Sequence, residues 1–209
     1  MKKLLGLREE ARRLFSPGTI WYHIKGRWIW DDISVSREKV NWHRIVWFPV
    51  HIPKFSLISW MVFLNRFPTK DRLARFGLIT ETDCVVCGSG LESRDHLFTG
   101  YFFAKEVWRT ILASCGIRYD MQSWDECLSW LVVNLKGKSL RVQILKLAWT
   151  GFLYYIWEER NHRCFRGHSR SAGTVVYRIK EAVKIKLYRN CIHRIDDANR
   201  FMFTNWGLI

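Results

Sequence analysis

The sequence predicts a mainly α fold: a helical bundle with a small loop-borne zinc knuckle and an irregular, Trp-rich N-terminal third. Three observations carry this. All four prolines, at 17, 49, 53 and 68, fall in the first third, so the rest of the chain is free to run as helices. Helical spacing with cap signals recurs from Pro53 onward, whereas alternating strand patterns are few. Two cysteines, Cys84 and Cys87, sit two residues apart in a glycine-containing loop.

Taken in order, residues 4–15 read as a short amphipathic helix ended by Ser16-Pro17-Gly18. Residues 19–50 hold Trp21, Trp28, Trp30, Trp42 and Trp47 without a period and are expected to be irregular. From Pro53, Phe55, Ile58, Ser59, Val62 and Phe63 share a face of a helix that Phe67-Pro68 should stop. Thr69 can cap Lys70–Phe76, with Gly77 behind it. Residues 78–92 are expected to be a loop or small hairpin, and Ser93 caps a turn through His96. A helix over 102–115 ends at Gly116. Ser123-Trp124-Asp125-Glu126 forms a capping box opening a helix over about 124–135. Ser139 opens a long helix to Arg166 through Leu140, Ile144, Leu147, Ala148, Phe152 and Tyr155. Ser171 caps the last expected helix, with Val175, Val176, Ile179, Ala182 and Val183 inward.

Composition narrows the function classes. Lys and Arg number 34 against 19 Asp and Glu, a net charge of +15, which points to a polyanionic partner: RNA or DNA before an anionic membrane surface. The 12 Trp, 7 Tyr and 13 Phe should mostly fill the core, leaving a few rings to stack on bases. No apolar run reaches the roughly 18–20 residues of a membrane span, and the basic start is broken by Glu9 and Glu10 before any secretory apolar region. The expectation is an intracellular protein, nuclear or cytoplasmic, with reduced cysteines and no membrane partner.

The loop offers one chemical constellation. Cys84-Val85-Val86-Cys87 can aim two sulfurs at one centre, Gly88 and Gly90 permit the tight backbone, and His96 is within reach as a third ligand for Zn²⁺. The plain alternative is two semi-buried thiols and a helix-capping histidine, and chemistry alone leaves both open.

Longer motifs go further. Trp42-His43-Arg44-Ile45-Val46-Trp47-Phe48-Pro49, His51-Ile52-Pro53-Lys54-Phe55-Ser56, Asn65-Arg66-Phe67-Pro68-Thr69-Lys70-Asp71-Arg72-Leu73, Cys84-x2-Cys87, Glu92-Ser93-Arg94-Asp95-His96-Leu97-Phe98 and Lys105-Glu106-Val107-Trp108 follow one another. Residues 42–108 thereby resemble the zinc-binding domain at the C-terminal end of plant non-LTR (LINE-type) retrotransposon reverse transcriptases. Trp30-Asp31-Asp32 looks like the stretch before that domain, and Ile156-Trp157-Glu158-Glu159-Arg160-Asn161-His162-Arg163 like the helical tail after it. The resemblance implies an N-terminal extension over 1–41, the zinc-binding domain over 42–116 and a helical tail over 117–209. It carries Cys84, Cys87 and His96 over as zinc ligands. The family places a cysteine five residues after the histidine, where this chain has Tyr101, followed by Phe102 in place of the usual proline.

Catalytic signatures are absent from the pattern. Asp31-Asp32 and Asp196-Asp197 lack the strand–turn–strand context of a polymerase, and no nuclease carboxylate set or nucleotide-binding glycine loop occurs. The expectation is a non-catalytic C-terminal part of a reverse transcriptase polyprotein, with no small-molecule substrate. Arg66, Lys70, Arg72, Arg75 and Arg94 are the candidate phosphate contacts. The competing expectation is a zinc-stapled structural or protein-interaction module that would bind the polymerase part of the same element rather than nucleic acid, and a third is a degenerate, inert relic with no present role.

Overall fold

This computed structural model describes residues 40–88, 90–188 and 197–208. The expected helix over 4–15, the tryptophans before Val40 and Asp31-Asp32 lie outside the described residues. The chain divides into two units, Met1–Val40 and Asn41–Ile209. The second is helical: α1 His43–Val46, α2 Pro53–Phe63, α3 Lys70–Arg75, a π-helical turn His96–Gly100, α4 Phe102–Ala113, α5 Trp124–Asn134, α6 Leu140–Arg166, α7 Ala172–Tyr188 and α8 Asp197–Trp206. Among the described residues β pairing is limited to an isolated antiparallel bridge, Asp83 with Leu91. No helix of the described residues is long and apolar enough to cross a membrane.

The unit is built around α6. Its 27 residues span about 40 Å. Every residue from Ile144 to Leu153 is buried, so the helix is covered on all sides rather than along one stripe. It packs on α1, α2, α4, α7, α8 and the π-helical turn. At Gly151 two neighbours come close: a Cβ there would meet the Phe55 ring of α2 at 3.4 Å and Ile179 of α7 at 3.7 Å. Ser139 starts α6 as the sequence predicts, its hydroxyl accepting from the Val142 N–H at 3.3 Å. Ser123 does the same for α5 through the Glu126 N–H.

Among the described residues the aromatics go largely to this core. Trp108 and Trp149 meet edge to face at 4.8 Å, and Trp149 stacks on Phe152 at 5.2 Å. Trp124 closes the cluster against Phe63 at 5.5 Å.

Three elements differ from the sequence reading. First, α2 stops at Phe63, short of Phe67-Pro68. Asn65 takes a left-handed conformation with φ 49°. The Asn65 N–H donates to Val62 O at 2.9 Å and the Arg66 N–H to Met61 O at 2.8 Å, the two bonds of a Schellman stop, with asparagine in place of glycine. Second, His43–Val46 forms one helical turn in a stretch expected to be irregular. Third, α7 is not the last helix. The polar helix α8 follows it, with Met202, Phe203 and Trp206 buried. Its three turns carry too few apolar positions to show a period. Packing on α6 rather than propensity supports it.

Candidate metal centre

The loop before the π-helical turn is shaped by its own backbone. The Cys84 N–H donates to Gly90 O at 2.8 Å and the Gly88 N–H to Cys84 O at 2.8 Å. Gly88 and Gly90 both have positive φ, 71° and 75°, which a side chain would resist. The chain therefore doubles back on itself, and Cys84 and Cys87 fall on one side of a single turn.

His96 comes from the next element. The Ser93 hydroxyl accepts from the His96 N–H at 3.2 Å, as the cap reading expects. The backbone then widens into the π-helical turn, closed by the Tyr101 N–H on His96 O at 2.8 Å. Leu97 and Phe98 of this turn are fully buried and anchor it. Such wide turns re-aim a side chain. A Cβ on Gly100 would meet His96 Nδ1 at 3.5 Å, an ordinary van der Waals contact, so the ring lies directly against this end of the turn.

The two thiols and the imidazole converge. One donor atom from each of Cys84, Cys87 and His96 lies within 4.8 Å of the others. Cys87 Sγ and His96 Nε2 are 3.2 Å apart. A tetrahedral Zn²⁺ with bonds near 2.0–2.3 Å requires donors about 3.5–3.8 Å apart, so side-chain shifts of about 1 Å or less bring this set to the ion's geometry. Cys84 is buried and Cys87 exposed. Burial pushes the Cys84 thiol up from its ordinary value, while the N–H groups of Cys87 and Val86 on its sulfur pull it back.

Tyr101 stands beside this group without completing it. Its hydroxyl donates to Val86 O at 3.1 Å and accepts from Arg163 Nη1 at 3.2 Å. Arg163 also donates to Val86 O at 3.1 Å and lies over the Phe103 ring. Glu92, at the loop's far end, is fully buried and receives Arg160 Nη2 at 2.7 Å. The same carboxylate accepts the Lys70 N–H at 3.1 Å, at the start of α3. Two arginines near the C-terminal end of α6 therefore hold the cysteine loop from both ends. Neither of these contacts could be assigned from spacing, because Arg160 lies 68 positions from Glu92 and Arg163 lies 62 from Tyr101.

Residues 25–108 match the family model described as zinc-binding in reverse transcriptase. That segment is similar to the reverse transcriptase zinc-binding domain. No curated protein and no solved structure matches the chain. The domain's Cys84, Cys87 and His96 form the described residues' candidate metal group, so a metal site, with zinc as its ion, is the chemistry the fold and the family support together.

The five candidate phosphate contacts of the domain are placed unevenly. Arg72 donates to Asn65 O at 2.6 Å, and Arg75 pairs with Asp71 at 2.7 Å. Arg94 pairs with Asp95 at 2.6 Å and lies 4.4 Å from the centre of the Trp124 ring. Arg66 is exposed and Lys70 half-buried, and among the described residues no carboxylate pairs with either side chain. Arg66 and Lys70 are thus better disposed toward an outside anion than the other three.

Proposed function

We propose that the chain is a non-catalytic accessory part of a LINE-type retrotransposon reverse transcriptase, of the plant kind, that holds Zn²⁺ and binds RNA or DNA without sequence preference. The observation that supports it most is the convergence of Cys84, Cys87 and His96 within the matched segment. Zinc, when bound, supplies a structural clamp between the cysteine loop and the π-helical turn. The protein's own residues do the rest. The glycines bend the loop, Ser93 and the π-helical turn set the histidine, and Arg160 and Arg163 fix the assembly to α6. The net charge of +15 supplies the attraction to phosphates.

A second reading, a zinc-stapled module that docks on the polymerase part of the same element, draws on the internal pairing of Arg72, Arg75 and Arg94. Metal analysis and a salt series separate the two. The purified chain should hold zinc, and Cys84→Ser should lose it while the helices from α5 onward remain. Binding to a single-stranded oligonucleotide that neutralises about five phosphates should show a log–log salt slope near −3.5. Affinity should then fall by roughly two orders of magnitude between 50 and 200 mM salt. Full zinc occupancy in Cys84→Ser would refute the ligand set, and no binding at 50 mM salt would leave the docking module as the better account.

A further inference from the structure

A cavity of about 670 Å³ opens between α1 and the turn joining α5 to α6. Arg44, Lys136, Lys138 and Lys146 line it together with Trp47 and Phe48, and its walls contain no Asp or Glu. The volume falls in the usual range of ligand sites.

Lys146 is the unusual member. It sits in the second turn of α6 and is only 7 % exposed. Among the described residues no carboxylate pairs with it. Its ammonium lies 5.8 Å from the centre of the Phe48 ring. A buried cation without a counter-charge costs stability. Burial pushes Lys146 below the ordinary lysine value, and the charge of Arg44 adds to the effect. Arg44, Lys136 and Lys138 are exposed at the same opening, so the lining repels itself until an anion enters. Trp47, 44 % exposed, stands in the same wall with an edge contact to His51 at 5.6 Å.

We infer that this cavity is a subsite for single-stranded nucleic acid, with phosphate oxygens on Lys146, Arg44, Lys136 and Lys138 and an unpaired base on Trp47. The inference rests on the nucleic-acid reading above and gives it a contact face separate from Arg66 and Lys70. Cations joined to an exposed indole favour a strand over a bare phosphate, because the ring adds stacking that every base can use. A duplex would keep its bases out of reach.

The test uses the full, zinc-loaded chain and a labelled single-stranded RNA of mixed sequence, followed by fluorescence anisotropy between 50 and 200 mM salt. Trp47→Ala should weaken binding at least about fivefold. Lys146→Met keeps the length of the stem and should make the salt slope shallower by about 0.7. Its melting temperature should equal or exceed the parent's, which excludes misfolding as the cause. Lys136→Glu with Lys138→Glu, confined to an exposed turn, should weaken binding at least tenfold. If the parent binds and all these variants bind equally well, the subsite is wrong and the nucleic-acid reading stands. If the parent binds no RNA, both fall. Binding to phosphatidylserine vesicles but not to RNA would assign the cavity to a membrane surface and overturn the inference.

Discussion

The Tyr101 hydroxyl is bonded to Val86 O and to Arg163, and burial pushes its phenol above the ordinary tyrosine value, with Arg163 offsetting part of the rise. At neutral pH it is a neutral phenol with its bonds already made, which is a poor metal donor. Replacing it has two effects of opposite sign. Tyr101→Cys removes the ring stacked at 5.9 Å on Phe103, so the metal-free protein should lose roughly 0.5–3 kcal/mol. The added thiolate should make zinc harder for a chelator to remove. Thermal melts with and without chelator check both. Equal chelator resistance in the two proteins would mean that the position does not reach the metal. At this scale the ligand trio was legible in the sequence because Cys84 and Cys87 are neighbours and His96 follows closely. The partners of Tyr101 were not, because Arg163 is 62 positions away.

Elements are fastened to one another by single side chains, and Glu92 is the strongest case. It joins the cysteine loop, the start of α3 and α6 through the Lys70 N–H and Arg160. Glu92→Ala leaves the Arg160 guanidinium buried and unpaired, and should cost about 3–5 kcal/mol. Urea denaturation measures the loss. The double variant with Arg160→Met should recover part of it, since replacing both charges of a buried pair is far milder than removing one. Caps at Ser93, Ser123, Ser139 and Ser171 were legible because a cap is decided within three or four residues; the Ser171 hydroxyl accepts from the Thr174 N–H at 3.2 Å. Thr69 is the exception: its hydroxyl donates to Asp71 and makes no cap bond, and Glu92 accepts the Lys70 N–H instead. The stop of α2 was misplaced because Phe67-Pro68 looked like the stronger breaker, while asparagine can enter the left-handed region in the residues before it. The π-helical turn has no comparable local signal.

The unit Asn41–Ile209 is built as a sleeve of helices around α6, and its burial shows in thiols outside the candidate metal group. Burial pushes Cys115 up to about 11 and Cys127 up to about 12 from an ordinary value near 9. Below pH 9 folded and unfolded chains both keep these protons. Above it the unfolded chain ionises first, so stability should fall between pH 9 and about 12, by about 1.4 kcal/mol for each pH unit and thiol. Tyr119, pushed up to about 12 by burial, adds the same sign above its ordinary value of 10. Lys146, held low, works in the opposite direction. Urea midpoints at pH 8.5 and 10.5, both with chelator, should show the drop, and Cys127→Ala should reduce it. A flat profile in the parent would contradict the burial of both thiols. The mainly helical class was legible from periodicity. The central place of α6 was not, since a helix buried all round gives little one-sided pattern to read.

The anchoring of the cysteine loop by Arg160 and Arg163 has a consequence for descent. A loop held by metal alone would unravel with the first ligand lost, and such a lineage would end there. This loop also has a fastening that involves no metal, so either fastening can weaken while the other keeps the chain folded. Redundancy of that kind makes the fourth ligand dispensable to the fold. It lets a tyrosine stand at position 101 in a molecule whose histidine and two cysteines still converge, and it makes Tyr101→Cys the one substitution that asks whether a fourth donor can be added.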